Sequence, residues 1–193
     1  VCAKAGVTTG EWSSVLRQTF GEYRAPTGVS ATATANAPDA ASDKVRAEVA
    51  AATDKLGRRP KVLVGKPGLD GHSNGAEQIA VKARDSGMEV VYAGIRLTPG
   101  EIIASAKEED VHLIGLSILS GSHVALVSEV LSGLKEAGLG HIPVVLGGII
   151  PEKDAADLLK QGVARVYTPK DFELNTIMSD FVTLVSADET EAA

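Results

Sequence analysis

Five short apolar runs rich in Val, Ile and Leu recur from residue 61 onward: "KVLVG", "EVVYAG", "VHLIGLS", "PVVLGG" and "ARVYT". Each is followed by a loop with Gly, Pro, Ser or Thr, and then by helical periodicity. Near-continuous apolar strands separated by helices predict a parallel sheet covered on both faces, because parallel strands need long crossovers. The helix limits are readable. Thr98-Pro99-Gly100-Glu101 is a capping box with Pro at the first helical position. Ser122 stands before a stripe of Val124, Val127, Leu131 and Leu134, where it can cap. Gly87, Gly138 and Gly162 stand where helices should stop. Residues 171–185 supply a closing helix through Leu174, Ile177, Met178, Phe181 and Val185. The predicted fold class is α/β: a flavodoxin-like (Rossmann-like), doubly wound, five-stranded parallel sheet.

An N-terminal helical extension and a linker precede the repeats. Residues 1–24 hold a short amphipathic helix carrying Trp12, Val15, Leu16 and Phe20, read as the tail of an earlier domain or a docking segment. Residues 25–42, "APTGVSATATANAPDAAS", lack large apolar groups and read as a flexible linker. The folded domain is expected over 43–185, opening with a helix over 43–57, and a disordered tail over 186–193. The chain has 193 residues, 44% of them hydrophobic, which permits a substantial core. Its net charge of -6 and the lack of a basic stripe with interleaved aromatics argue against a nucleic-acid partner. No apolar run is long enough to span a bilayer. The single cysteine, Cys2, forms no intramolecular disulfide, which suits a reducing cytoplasm. The start lacks a signal-peptide apolar region and an initiator Met, so a piece of a longer protein is expected.

Ligands of an open parallel sheet bind beyond the strands' carboxyl ends. The loops to inspect are 65–75, 93–98, 117–122, 147–151 and 167–171. The first, "GKPGLDGHSNG", matches neither phosphate-loop pattern, since Lys66 comes first and the glycines fall at 65, 68, 71 and 75. Asp70 and His72 permit two readings. One is a hydrogen-bonded turn. The other is a metal site: a neutral imidazole ligates through one nitrogen while a carboxylate holds the other, with Lys66 pairing Asp70. No second protein ligand has suitable spacing. A single protein ligand suits a metal already held by a macrocycle. His112, His123 and His141 read as structural.

Asp70-Gly71-His72-Ser73-Asn74-Gly75 resembles the D-x-H-x-x-G cobalamin-binding motif. Ser117-Ile118-Leu119 and Gly147-Gly148 resemble the S-x-L and G-G elements that follow it in order. "GKPGLDGH" resembles acyl-CoA carbon-skeleton mutases. "GHSNGAEQIA", "IRLTP", "LSILSGSH" and "VYTPKDFELN" are most similar to the ethylmalonyl-CoA branch, ahead of the methylmalonyl and isobutyryl branches. "FGEYRAPTG" resembles the segment after the barrel domain there, so that residues 1–24 would be that domain's tail. The resemblance implies adenosylcobalamin as cofactor and a radical isomerisation of an acyl-CoA, ethylmalonyl-CoA to methylsuccinyl-CoA. It implies His72 as lower cobalt ligand, Asp70 orienting it and Lys66 backing Asp70. The displaced nucleotide tail would enter a slot beside the sheet. The cofactor-binding set is Lys66, Asp70, Gly71, His72, Gly75, Ser117, Leu119, Ser120, Gly121, Gly147, Gly148, Tyr167, Thr168 and Pro169. Within it, Ser117 bonds the benzimidazole, Leu119 lines the slot, Gly147 and Gly148 admit the tail, and Tyr167–Pro169 close the far side. Substrate binding is implied for a separate barrel domain on the same or another chain, in a dimeric full enzyme. This chain alone would bind cofactor without turnover. A corrinoid methyl carrier and a cofactor-free receiver domain are the other classes the pattern admits.

Overall fold

A computed structural model describes residues 2–21 and 40–187. The chain divides into two compact units, residues 1–38 and 39–193. The first holds a 3-10 turn, Cys2–Ala5, and helix α1, Thr9–Phe20. Thr8 and Glu11 form a reciprocal capping box that starts α1. No residue of α1 is buried, and Trp12, Val15, Leu16 and Phe20 are all exposed. The linker expected over 25–42 lies outside the described residues up to 39. Its last three residues instead belong to a helix. Of the tail expected over 186–193, Ser186 and Ala187 belong to a helix, and the rest lies outside the described residues.

The second unit runs α2 (Ala40–Leu56), β1 (Lys61–Pro67), α3 (Asn74–Asp85), β2 (Glu89–Leu97), α4 (Pro99–Glu108), β3 (Leu113–Ile118), α5 (His123–Glu136), β4 (Val144–Gly148), α6 (Glu152–Gln161), β5 (Arg165–Tyr167) and α7 (Leu174–Ala187). The five strands are parallel, in the order β2-β1-β3-β4-β5. This is the flavodoxin-like, doubly wound sheet that the alternating runs predict. Period-two alternation divides the sheet between two cores. Val62, Val64, Leu113 and Val145 face α2, α3 and α7. Leu63, Ile114, Leu116, Val144 and Leu146 face α4, α5 and α6. Among the described residues no helix is long and apolar enough to cross a membrane.

Most of the punctuation behaves as expected. Thr98 and Glu101 cap α4 reciprocally, with Pro99 leading the helix. Gly162 ends α6 in the left-handed region at φ 113°. Ser122 precedes α5 but makes no side-chain cap; its hydroxyl pairs with Ser120 instead. The buried stripe of α5 is also rotated from expectation. His123, Val127, Val130 and Leu134 are buried, while Val124 is exposed. The rotation gives His123 two partners: Nε2 lies 2.9 Å from Asp154 and Nδ1 lies 3.3 Å from the Ser120 carbonyl.

β1 and β3 are neighbours, and their following helices lie on opposite faces. The chain order therefore reverses between these two strands, opening a crevice at their carboxyl ends. Residues 68–73 and 119–122 stand on its two sides.

Candidate functional site

Lys66 is fully buried, with 0% exposure. A buried ammonium requires partners for its protons. Its Nζ donates to the Ser117 carbonyl at 3.0 Å, to Ser117 Oγ at 3.2 Å and to Asp70 Oδ2 at 3.4 Å. Asp70, whose side chain is 8% exposed, gathers two further contacts. Its Oδ2 accepts the Leu119 backbone N–H at 3.2 Å, which ties the β1 loop to the β3 loop across the crevice. Its Oδ1 accepts the His72 backbone N–H at 3.0 Å and lies 2.6 Å from His72 Nδ1. These interactions hold the Asp70 carboxyl far below the usual carboxylate range. The His72 backbone bond contributes most, then the His72 side chain, with the Lys66 charge and the Leu119 N–H assisting. Asp70 is therefore an anion at neutral pH, and acceptor-only. In a neutral imidazole the proton then sits on Nδ1, leaving the lone pair on Nε2. The His72 side chain is 81% exposed. Among the described residues no group of three His, Cys, Asp or Glu could enclose a metal ion. The arrangement presents one oriented nitrogen ligand at a surface.

Beside this turn a slot of about 380 Å³ enters the domain between the sheet and helices α3 and α7. Its sheet wall follows from strand register. Ser117 pairs with Gly147, and Gly147 pairs with Tyr167, so these three stand in one row across β3, β4 and β5. Val64, Gly115 and Val145 form the row beneath. Ala76 and Ile79 of α3, with Ile177 and Phe181 of α7, supply the opposite wall. The lining is mainly apolar, with Ser117, Gln78, Thr168 and Asp171 as polar points. Because Lys66 has no acceptor to offer, Ser117 Oγ accepts from it and keeps its own proton for another partner. A second hollow, about 760 Å³, is lined by Gly68, Leu69, Asp70, His72, Leu119, Ser120, Ser122, Leu126 and Ile149. Leu119 and Ile149 border both. Around them stand the bare apolar residues Leu69, 91% exposed, and Phe172, 74% exposed.

Of the sequence-predicted residues, Gly75, Ser117, Leu119, Gly147, Gly148, Tyr167, Thr168 and Pro169 line the slot. Asp70, His72 and Ser120 line the second hollow, above buried Lys66. Gly71 lies beside the Arg96 guanidinium, and Gly121 borders neither space. At Gly148 the fold imposes its own requirement beside the expected one. A Cβ there would overlap the backbone carbonyl of Ile118, so strand packing already demands glycine. Gly147 differs: its nearest neighbour in the Cβ direction is the Leu116 carbonyl at 3.9 Å, an ordinary contact. Its missing side chain is thus available to the slot. Gly115 plays the same part in the row below and was not singled out in the sequence. The signal was present, since Gly115 lies two residues before Ser117 and shares its face.

A family model described as "B12 binding domain" matches residues 60–171. The chain is 61% identical over 183 residues to ethylmalonyl-CoA mutase of Cereibacter sphaeroides, covering 95% of this chain and 28% of that protein. It is 59% identical to ethylmalonyl-CoA mutase of Methylorubrum extorquens, over 91% of this chain and 25% of that protein. With methylmalonyl-CoA mutase of Escherichia coli the identity is 37%, over 95% and 26%. The chain thus spans about a quarter of the length of these relatives. Among solved structures, a cobalamin-binding protein from Desulfitobacterium hafniense superposes with a TM-score of 0.55 at 22% identity, over 91% of this chain and 76% of that one. A Francisella receiver domain superposes at 0.52 and 17% identity, over 67% and 98%. At these identities the likeness is one of fold.

Proposed function

This chain belongs to the B12-binding domain family, and we propose that it is the cobalamin-holding part of an adenosylcobalamin-dependent acyl-CoA mutase acting on ethylmalonyl-CoA. The observation that carries the reading is the exposed imidazole of His72, oriented through Nδ1 by Asp70 beside a slot lined with small residues. The residues fit a metal already held by a macrocycle, to which the protein would add one nitrogen ligand. They also fit an appended planar base, since Gly115 and Gly147 leave the sheet face open where Ser117 keeps a proton to donate.

In this reading His72 Nε2 is the lower cobalt ligand. Asp70 fixes its tautomer, and Lys66 balances the carboxylate from within the domain. Ser117 donates to the tail's ring nitrogen, Leu119 borders the mouth, and Tyr167, Thr168 and Pro169 close the far end. When bound, the cofactor would supply the radical chemistry for rearranging an acyl-CoA carbon skeleton. The protein's share is binding, orientation and exclusion of water. The exposed rim of Leu69, Leu119, Ile149 and Phe172 is then the surface that a substrate-binding barrel, on the same or another chain of a dimeric enzyme, covers. Alone, the domain binds cofactor and turns over no substrate. The choice of ethylmalonyl-CoA is supported by identities of 61% and 59%, against 37% for the methylmalonyl relative.

The test is an absorption titration with adenosylcobalamin. The wild-type chain should bind about one equivalent with a nitrogen-ligated spectrum. His72→Ala should bind with the spectrum of a cofactor lacking its lower nitrogen. Absence of binding, or an identical spectrum for the variant, would overturn the reading.

A further inference from the structure

Tyr167 is the last residue of β5, and its ring forms part of the slot wall. Two consecutive residues of α7 hold it. Its hydroxyl donates to Asp180 Oδ2 at 3.1 Å. Its ring lies against Phe181, with centroids 6.2 Å apart and planes tilted by 58°. The other Asp180 oxygen, Oδ1, lies 3.4 Å from Arg165 Nη2. Arg165 is two residues before Tyr167 on the same short strand, so one carboxylate fastens both ends of the β5 face turned toward α7. Burial and the Asp180 charge push the Tyr167 phenol well above its ordinary value, so the hydroxyl keeps its proton and remains a donor.

We propose that Asp180 is a positioning residue for ligand binding, which fixes the Tyr167 ring as the rigid end wall of the slot. The inference rests on the reading that the slot receives the cofactor's nucleotide tail. Small residues, Gly115, Ser117 and Gly147, stand in the sheet rows beside Tyr167 and leave room into which an unfastened tyrosine ring could swing. The Asp180 hydrogen bond stops that swing. A planar aromatic base needs a fixed aromatic or apolar surface to pack on, and the freedom of an unfastened tyrosine would be lost again at binding. Asp180 touches no part of the slot itself; it acts through Tyr167.

The test compares adenosylcobalamin with adenosylcobinamide, which has the same ring and metal but no nucleotide tail. Dissociation constants are measured for the wild-type chain and for Asp180→Ala, Asp180→Asn and Tyr167→Phe. The wild-type chain should prefer the cobalamin. Asp180→Ala and Tyr167→Phe should each weaken cobalamin binding by about tenfold, the worth of one partly buried hydrogen bond. Cobinamide binding should change by less than about twofold. Asp180→Asn still offers an oxygen to the hydroxyl and should stay near wild type. Equal losses for both ligands, no loss in Tyr167→Phe, or an Asn variant as weak as the Ala variant would overturn the proposal. A wild-type chain with no preference for the tail would overturn the slot reading itself, and the role of Asp180 with it.

Discussion

Asp70 Oδ1 meets His72 twice, at the backbone N–H at 3.0 Å and at ring Nδ1 at 2.6 Å. One carboxylate oxygen therefore shapes the turn and orients the ring that the turn presents. The backbone bond places His72 in space, and the side-chain bond sets which nitrogen is free. The geometry is second-neighbour, so it forms only if residue 71 lets the chain fold back. Its foundation is the buried Lys66, which draws Asp70 down toward β3.

Lys66→Ala should destabilise the domain by about 3 kcal/mol, because it leaves the Asp70 carboxylate inside without its cation. Lys66→Met keeps the stem's packing and should cost less. Urea unfolding of the three chains measures this. Equal stability of wild type and Lys66→Ala would show that the backbone donors alone hold Asp70.

The two adjacent glycines should behave differently. Gly148→Ala drives a Cβ into the Ile118 carbonyl and should lower stability by more than about 2 kcal/mol with no ligand present. Gly147→Val should leave thermal stability within about 1 kcal/mol, yet weaken cobalamin binding at least tenfold while sparing cobinamide. Thermal melts and ligand titrations on both variants distinguish the two. A Gly147→Val chain that binds cobalamin normally would contradict the slot.

At the opposite, amino-terminal end of the strands, His112 Nδ1 accepts the Lys61 backbone N–H at 2.9 Å, so the ring serves β1 as a neutral acceptor. Burial lowers its pKa below the ordinary histidine value of about 6.5, and the nearby Arg58 charge adds to this. The charged form is disfavoured by folding, so the unfolded chain binds more protons once pH drops below about 6.5. The contribution of His112 is complete above that pH and is lost as pH falls toward its folded value. Melts between about pH 8 and pH 5 should show wild type losing more stability than His112→Gln. Parallel curves would remove His112 as the cause.

Much of this was legible in the sequence because strands and caps are local. The five apolar runs, the Thr98–Glu101 box and the glycine stops depend on near neighbours in the chain. Asp70 and His72 are two residues apart, so their pairing was legible too. What escaped depends on which strands lie side by side. The row of Ser117, Gly147 and Tyr167 exists only once β3, β4 and β5 are in register. The Ile118 carbonyl behind Gly148, which demands glycine for packing alone, is invisible for the same reason. The start of α2 at Ala40 was missed because small residues with a Pro before them carry little helical periodicity. His123 read as structural, and it is, but its partner Asp154 on α6 lies 31 residues away and was not legible.

The proposed role of the His72 imidazole is to ligate cobalt. The most direct measurement is the EPR spectrum of the chain loaded with Co(II) cobalamin, prepared once with natural-abundance histidine and once with 15N-histidine. Ligation by His72 predicts that the superhyperfine splitting changes from the pattern of a spin-one nitrogen to that of a spin-half nitrogen, and that His72→Ala abolishes the difference. A splitting that ignores the label, in a chain shown to hold the cofactor, would mean that the lower nitrogen belongs to the cofactor itself.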